Sequence, residues 1–202
     1  MLVIVDYGVG NLFSLKSSLL KIGATAVVSG EKSVIEKATK IILPGVGAFG
    51  DASKKLKETG LDKTIIEMAK NGVPVMGICL GMQLLFEKSY EYGEHLGLGL
   101  IKGEIRPISE VIPTNYKVPH IGWNALIFKR ESALNKFIKD GDHVYFVHSF
   151  YATNCSESVV CVAEYGAELT ATVECGNVYG CQFHPEKSGD VGLNILKAFC
   201  SL

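Results

Sequence analysis

Residues 73–85, Val-Pro-Val-Met-Gly-Ile-Cys-Leu-Gly-Met-Gln-Leu-Leu, decide the fold of this 202-residue chain. The apolar run Val73–Ile78 predicts a buried strand, and the segment from Leu80 to about Lys88 predicts an amphipathic helix that follows at once. Between the two lies the pentapeptide Gly77–Gly81, which has the form G-x-C-x-G. A strand, a sharp turn flanked by glycines and a helix are the context of a nucleophile elbow, here with cysteine at the apex.

The elbow would place Cys79 in a reactive position. Because the turn is tight, side chains at positions 77 and 81 would collide with neighbouring elements, and glycine avoids the collision. The dipole of the following helix favours a thiolate over a thiol at its N-terminus. The competing interpretation is a small buried cysteine behind a core strand, since free cysteine is among the most buried residue types. Because glycines flank Cys79, both interpretations stay open: a reactive nucleophile and a buried core cysteine.

The alternation of strand and helix extends over the first ninety residues. Short apolar runs predict strands at 2–5, 24–28 and 41–43, and amphipathic segments predict helices after Asn11 and over 51–71, broken near Gly60. The second half predicts strands, partly joined as antiparallel hairpins, at 103–107, 122–128, 143–148, 158–165, 169–174 and 178–183. A last helix begins near residue 188. We expect one α/β domain over 1–202, with a mixed, mostly parallel sheet flanked by helices.

Composition narrows the function classes. Twenty Lys and Arg residues against 21 Asp and Glu give a formal charge of −1, without the basic excess of most nucleic-acid binders. No apolar run approaches the ~20 residues that span a bilayer. The six cysteines form no CxxC pair, and no secretory signal is visible, which favours free thiols in a reducing cytoplasm. We therefore expect a cytoplasmic protein that binds no nucleic acid, membrane or cofactor. We also expect no bound metal, because the histidines lack metal-ligand spacing.

A second candidate is the tripeptide His184-Pro185-Glu186, which follows the predicted strand 178–183. Proline keeps the preceding residue extended, and positions two apart in an extended segment point to the same side. The carboxylate of Glu186 can therefore orient the imidazole of His184, the general base that a thiol nucleophile needs. The alternative is a surface turn with an incidental charged pair. The order Cys, His, Glu differs from the Ser, Asp, His order of α/β-hydrolases, so only the elbow is shared.

The loop Pro44-Gly45-Val46-Gly47 follows the third predicted strand. Loops at the carboxyl ends of parallel strands line the crevice in which ligands bind, and Cys79 would lie at the same edge. Two glycines leave the backbone free to present N–H groups to a developing oxyanion. A plain turn is the alternative, and the absence of GxxxxGK[ST] disfavours a nucleotide-binding loop.

In chain order, these pieces resemble the class I, triad-type glutamine amidotransferases: a PG loop after a strand, GxCxG at an elbow and HPE near the C-terminus. The resemblance covers nearly the whole chain. Segments 6–12, 44–49, 122–124 and 146–150 are similar to one branch of the family, the glutaminase subunits of imidazole glycerol phosphate synthase in histidine biosynthesis. Other members more often carry PGG in the first loop, and Val46 in place of that glycine fits this branch.

The resemblance implies a flavodoxin-like core and three groups of site residues. The catalytic triad, which would hydrolyse L-glutamine through a thioester, is Cys79, His184 and Glu186. The backbone N–H groups of the oxyanion hole would come from Val46, Gly47 and Leu80. The glutamine ligands would be Gly47, Gln83, Ser149 and Phe150.

The resemblance also implies a partner, a (β/α)₈-barrel cyclase subunit in a heterodimer. The cyclase would use the ammonia to make imidazole glycerol phosphate and an aminoimidazole carboxamide ribotide. Ammonia released into water would be protonated, and ammonium is no nucleophile, so chemistry alone also favours a partner surface over the crevice. The candidates for that surface are Asn11, Trp123 and Lys187. Trp123 could instead be a core residue, and Lys187 a solvent-exposed charge.

Two alternatives stay open at this point. A glutaminase subunit of a different class I amidotransferase would associate with another acceptor subunit. A stand-alone cysteine hydrolase of similar fold would turn over fully as an isolated chain, with no dependence on glutamine.

Overall fold

The computed structural model describes all 202 residues and has an eight-stranded mixed sheet at its centre. In spatial order its strands are β2 (Ala26–Ser29), β1 (Leu2–Val5), β3 (Lys40–Leu43), β4 (Val75–Ile78), β14 (Val178–Cys181), β13 (Glu168–Cys175), β12 (Val159–Glu164) and β9 (Ile127–Phe128). The strands from β2 to β14 pair in parallel, and those from β14 to β9 pair antiparallel. The parallel part has the 2-1-3-4-5 order of flavodoxin-like folds, which confirms the expected fold class.

Two smaller sheets complete the β-structure. A four-stranded sheet contains, in spatial order, β11 (Phe150–Thr153), β7 (Ile101–Pro107), β5 (Phe86–Ser89) and β6 (His95–Leu96). A two-stranded antiparallel ribbon pairs β8 (His120–Ala125) with β10 (His143–His148). The predicted strand 122–128 is therefore divided between two sheets, because β9 joins β12 of the central sheet after a break at Leu126.

Six α-helices pack around the sheets: α1 (Leu12–Lys21), α2 (Lys32–Ile35), α3 (Phe49–Thr59), α4 (Leu61–Lys70), α5 (Leu80–Leu84) and α6 (Gly189–Cys200). The central sheet has an apolar cluster on each face. One cluster contains residues of α3 and α4, and the other contains residues of α1 and α6. The helices therefore cover both faces, as the βαβ pattern predicts. None of the six is long and apolar enough to cross a membrane.

Local sequence signals explain several element boundaries. The Oδ1 atom of Asn11 accepts a hydrogen bond from the backbone N–H of Ser14 at 3.2 Å, so Asn11 caps α1, the helix that was predicted to follow it. Gly60 has a φ of 68° and separates α3 from α4, which confirms the predicted break. The pair Gly176-Asn177 forms the turn between β13 and β14, where Cys175 pairs with Val178.

The prediction of a helix from Leu80 to Lys88 is correct only as far as Leu84 and wrong beyond it. The α5 helix ends at Leu84, and the chain continues as β5, which pairs in parallel with β7. Phe86 and Ser89 are fully buried in the resulting sheet. A short apolar run such as residues 84–86 fits helix and strand equally, and pairing with a distant strand decides between them.

Candidate functional site

Four parallel strands of the central sheet end at one edge, and each is followed by a segment that the sequence analysis singled out. Asn11 lies on the connection after β1, and loop 44–47 follows β3. Cys79 follows β4, and His184 follows β14 by three residues. Because β14 pairs in parallel with β4, the segments that carry Cys79 and His184 are neighbours although 105 positions separate them in the chain. This is the edge at which parallel α/β sheets bind their ligands.

Cys79 lies on a strained elbow, as the sequence predicted. Its φ of 55° and ψ of −112° are unusual for a residue other than glycine. A side chain at Gly81 would collide with the carbonyl oxygen of Leu43, and a Cβ at Gly77 would lie 2.5 Å from the carbonyl oxygen of Gly81. The expected reason for the two glycines is therefore confirmed. The elbow is held between the β3 loop and α5 without room for other residues.

His184 and Glu186 form a buried pair. The Nδ1 atom of His184 lies 2.8 Å from Oε1 of Glu186, and the side chains are 5% and 4% exposed. His184 is extended, with φ −99° and ψ 98°, as expected before a proline. The geometry beyond it differs from the expectation of an extended segment, because Pro185–Lys187 form a single 3₁₀ turn. That turn, with proline at its first position, brings Glu186 back onto the imidazole.

The pKa of His184 is raised to about 10. Burial alone would lower this pKa, but hydrogen bonds to Cys79 and Glu186 and the charges of both groups outweigh it. Since Nδ1 is held by Glu186, Nε2 is the nitrogen available to Cys79. The arrangement favours a protonated imidazole next to Cys79. Because α5 has only five residues, the imidazolium rather than a long helix dipole is the main positive charge near the sulfur.

A cavity of about 380 Å³ opens over the elbow. Its volume lies within the usual range of small-molecule sites. Ten of the residues predicted for the site line it: Asn11, Val46, Gly47, Cys79, Leu80, Gln83, Ser149, Phe150, His184 and Lys187. Two predicted residues do not line it. Glu186 contacts His184 and so acts on the cavity through it, and Trp123 lies elsewhere on β8.

The backbone around the elbow has free N–H groups. Leu80 begins α5, where the first N–H groups have no partner within the helix. Gly47 has a φ of 97°, in the region that favours glycine, and it lines the cavity next to the exposed Val46. These two segments can supply N–H donors to an oxygen that becomes negatively charged near Cys79.

Glu91 and Tyr92 also line the cavity, although no sequence motif marked them as site residues. Oε2 of Glu91 accepts a hydrogen bond from the backbone N–H of Phe49 at 2.6 Å, and burial raises the pKa of this carboxyl. Tyr92 is 88% exposed and meets the ring of Phe150 edge-on at 6.3 Å. The only sequence signal was an acidic, aromatic loop before β6, and such loops are common on protein surfaces.

His148 is a second buried histidine at the cavity. Burial, together with the charges of His120 and His184, lowers its pKa to about 4, so it is neutral at pH 7. Its Nδ1 donates to the carbonyl of Phe150 at 2.8 Å, because a carbonyl only accepts. Its Nε2 lies 2.9 Å from Nδ1 of His120. His148 therefore helps to fix the backbone at Phe150, a predicted glutamine ligand.

The candidate partner residues differ in their surroundings. Trp123 is 54% exposed on β8, beside Tyr145 at 5.9 Å between ring centroids, so the core interpretation of Trp123 is wrong. Lys187 is exposed at the cavity rim. Asn11 also reaches the cavity, but its Oδ1 is used to cap α1, which leaves its Nδ2 for a partner.

Comparison with known proteins agrees with this site. Residues 3–201 match the family model described as glutamine amidotransferase class-I. The chain is 48% identical to the imidazole glycerol phosphate synthase subunit HisH of Wolinella succinogenes, over 204 residues that cover both chains completely. It is 49% identical to the protein of the same name from Aquifex aeolicus, over 98% of this chain and 94% of the relative.

A solved structure shows the same fold. The structure of PurLQS from Thermotoga maritima superposes with a TM-score of 0.77 at 23% identity, covering 99% of this chain and 97% of that one. The elbow cysteine, the buried histidine–glutamate pair and the family match over nearly the whole chain lead to one conclusion. The chain belongs to the class I glutamine amidotransferase family, as a HisH-like glutaminase.

Proposed function

We propose that this protein is the glutaminase subunit of an imidazole glycerol phosphate synthase and that Cys79, His184 and Glu186 are its catalytic triad. One observation carries the proposal: a cysteine on a strained elbow shares a cavity with an imidazole that a buried carboxylate orients. The choice of synthase is supported by relatives of that name at 48% and 49% identity over nearly the full chain. L-Glutamine is the substrate, and glutamate and ammonia are the products.

Before the first half-reaction, the proton of the Cys79 thiol already lies on Nε2 of His184, because the raised pKa keeps this imidazole protonated. The sulfur then attacks the side-chain amide carbon of glutamine, and the carbonyl oxygen becomes an oxyanion. His184 returns its proton to the amide nitrogen, the C–N bond breaks and ammonia leaves. A γ-glutamyl thioester remains on Cys79.

In the second half-reaction, His184 takes a proton from water and the water oxygen attacks the thioester carbon. The C–S bond breaks, the new γ-carboxyl group gives its proton to solvent as glutamate leaves, and the thiolate of Cys79 is regenerated beside a protonated His184. The raised pKa of His184 keeps this ion pair in place at neutral pH. Glu186 holds Nδ1 throughout, so Nε2 carries the proton in each transfer.

The oxyanion of both steps would be bound by the backbone N–H of Leu80 and by those of Val46 and Gly47. This role is supported by the free first turn of α5 and by the conformation of Gly47. Such donors contribute about 3 kcal/mol each to the transition state in comparable sites.

The glutamine backbone would lie along the far wall of the cavity. Gln83 uses its Nε2 to donate to Phe150 O at 3.3 Å, so its Oε1 is the atom left for the ligand. Ser149 and Phe150 would present backbone groups, and Gly47 permits close approach. We add Glu91 to these ligands, because a carboxylate at the cavity wall suits the α-ammonium group of an amino acid.

Ammonia would pass to a (β/α)₈-barrel cyclase subunit in a heterodimer, without entering solvent. The docking surface would surround the cavity mouth and include Asn11, Trp123 and Lys187. An exposed tryptophan is typical of the centre of protein interfaces. Residues 1–202 would form a single glutaminase domain, and the six free cysteines are consistent with a cytoplasmic location.

The test is a measurement of glutamate release with and without the cyclase subunit and its nucleotide ligand. We expect slow turnover by the isolated chain and a marked increase on adding the liganded cyclase, since Val46 restricts the oxyanion loop more than a glycine would. The same addition should transfer nitrogen from glutamine to the cyclase product. Equal rates in both conditions, with no nitrogen transfer, would refute the synthase assignment.

A further inference from the structure

Gln182 is a completely buried amide that the mechanism above does not use. It follows β14 and precedes His184 by two positions. Its backbone N–H donates to the carbonyl of Ala171 at 2.8 Å, which continues the contact of this segment with β13. A buried amide side chain destabilises the protein unless its polar atoms are hydrogen-bonded. The partners of Gln182 therefore indicate what it does.

Gln83 fixes the orientation of the Gln182 amide. Nε2 of Gln83 donates to the carbonyl of Phe150 at 3.3 Å and to Oε1 of Gln182 at 3.0 Å. A carbonyl only accepts, so the Gln83 amide cannot be reversed. Because Oε1 of Gln182 accepts from Gln83, its Nε2 points the other way, where it lies 3.8 Å from Sγ of Cys79. Reversal of Gln182 would place two NH₂ groups against each other.

The amide donor of Gln182, at the sulfur end of this chain of hydrogen bonds, interacts more strongly with a Cys79 thiolate than with a thiol. A charged acceptor strengthens a hydrogen bond roughly twofold over a neutral one, so the Gln182 amide favours the anion. Cys79 is 8% exposed, and water can solvate its thiolate only poorly. His184 supplies one stabilising contact, and the amide of Gln182 supplies a second from a separate residue.

We propose that Gln182 is a positioning residue for the nucleophile: its Nε2 donates to the Cys79 thiolate and holds the sulfur in one orientation, while Gln83 keeps the amide turned toward it. The proposal rests on the proposed function only in taking Cys79 as the nucleophile. Gln83 also lines the glutamine cavity, so the residue that orients Gln182 is in contact with the substrate site. Loss of the Gln182 donor lowers kcat and leaves KM for glutamine nearly unchanged.

The test is the pH dependence of Cys79 alkylation by iodoacetamide in the full chain, followed by peptide mass spectrometry. Gln182→Met has a side chain of similar length without a hydrogen-bond donor. In this variant the pH midpoint of Cys79 alkylation rises by about one unit, so alkylation below the midpoint is roughly tenfold slower. Gln182→Glu keeps an acceptor for Gln83 but turns a carboxylate toward the sulfur, so its midpoint rises further. Cys175 is exposed and provides the internal control, because its profile stays the same.

Folding of each variant is judged by circular dichroism and by an unaltered Cys175 profile. If a folded variant has the same Cys79 alkylation midpoint as wild type, the proposal is overturned. If Gln182→Met does not fold, Gln182→Glu decides the question alone, since its amide-sized side chain retains the bond from Gln83. This measurement uses no glutamine, so it is independent of whether the protein is a glutaminase. Failure of the wild-type chain to hydrolyse glutamine with its partner would overturn the proposed function and leave the Gln182 contact to be judged by alkylation.

Discussion

Nδ1 of His184 lies 2.8 Å from Oε1 of Glu186, and the imidazole shares the cavity with Cys79 while being almost completely shielded from water. Buried charges are tolerated when each has a partner, because an unpaired ion in the interior is strongly destabilising. The raised pKa of His184 therefore depends on the two groups beside it, Cys79 and Glu186. Oε2 of Glu186 has no hydrogen-bond partner of its own, so the carboxylate is committed to His184 through Oε1.

Glu186→Gln should lower kcat by about 10²-fold, because a neutral amide no longer stabilises the imidazolium of His184. KM for glutamine should change little, since Glu186 does not line the cavity. Steady-state kinetics of the complex with the cyclase measure both values. A variant with wild-type kcat would mean that Glu186 does not support the base.

Stability should depend on pH through His184. Its pKa is raised to about 10 from an ordinary value of 6.5, so its contribution is complete below pH 6.5 and is lost as the pH rises through about 10. The difference in unfolding free energy between wild type and His184→Gln should therefore shrink over this range. Urea titrations at several pH values test this, and a constant difference would contradict the raised pKa.

At the scale of elements, the elbow is the junction on which the site depends. The β4 strand and α5 meet at Cys79, and the bend brings Gly81 against the carbonyl of Leu43 at the end of β3. The same close approach places the loop of residues 44–47 after β3 next to Cys79. The two glycines are thus required by packing between elements, and the positive φ of Cys79 adds local strain.

Gly81→Ala should lower the unfolding free energy by about 3 kcal/mol or more, because the new methyl group meets backbone that cannot yield. Gly72→Ala is the matched control: its Cβ would meet nothing within 4 Å, and only its φ of 83° is unfavourable, at about 1–2 kcal/mol. Urea denaturation of both variants measures the difference. Equal losses would show that the elbow is not tightly packed.

Sequence patterns predicted the elements that carry their own local signals. The start of α1 after Asn11 and the break at Gly60 depend on neighbouring residues, and both are confirmed. The short strands β5, β6 and β11 were missed because they exist only through pairing with β7 or with each other. The length of α5 was overestimated for the same reason.

At the scale of the whole molecule, the site lies where four parallel strands end, with an apolar cluster on each face of the sheet below it. Motifs far apart in the chain could be assigned to one site because the topology of a parallel sheet brings their strand ends together. Gln182 and Glu91 could not be found in this way. Each is a single polar residue without a motif, and only the folded chain shows its contact with the site.

Trp123→Ala should weaken binding of the cyclase subunit by about 2 kcal/mol, or roughly 30-fold in Kd, because an exposed tryptophan is a typical interface anchor. The thermal stability of the variant should stay close to that of wild type, since about half of the Trp123 residue is already exposed to water. Phe137→Ala, a change at an exposed aromatic residue outside the cavity lining, is the control. Calorimetric titration with the cyclase gives both affinities, and equal values would remove Trp123 from the interface.

The most direct test of the thioester mechanism is glutamate release by Cys79→Ala in the presence of the cyclase, combined with acid quenching and peptide mapping of the wild-type enzyme during turnover. We expect a γ-glutamyl group on the wild-type peptide that contains Cys79, and no glutamate above background from the variant. Glutamate release by Cys79→Ala at the wild-type rate would contradict the assignment of this cysteine as the nucleophile.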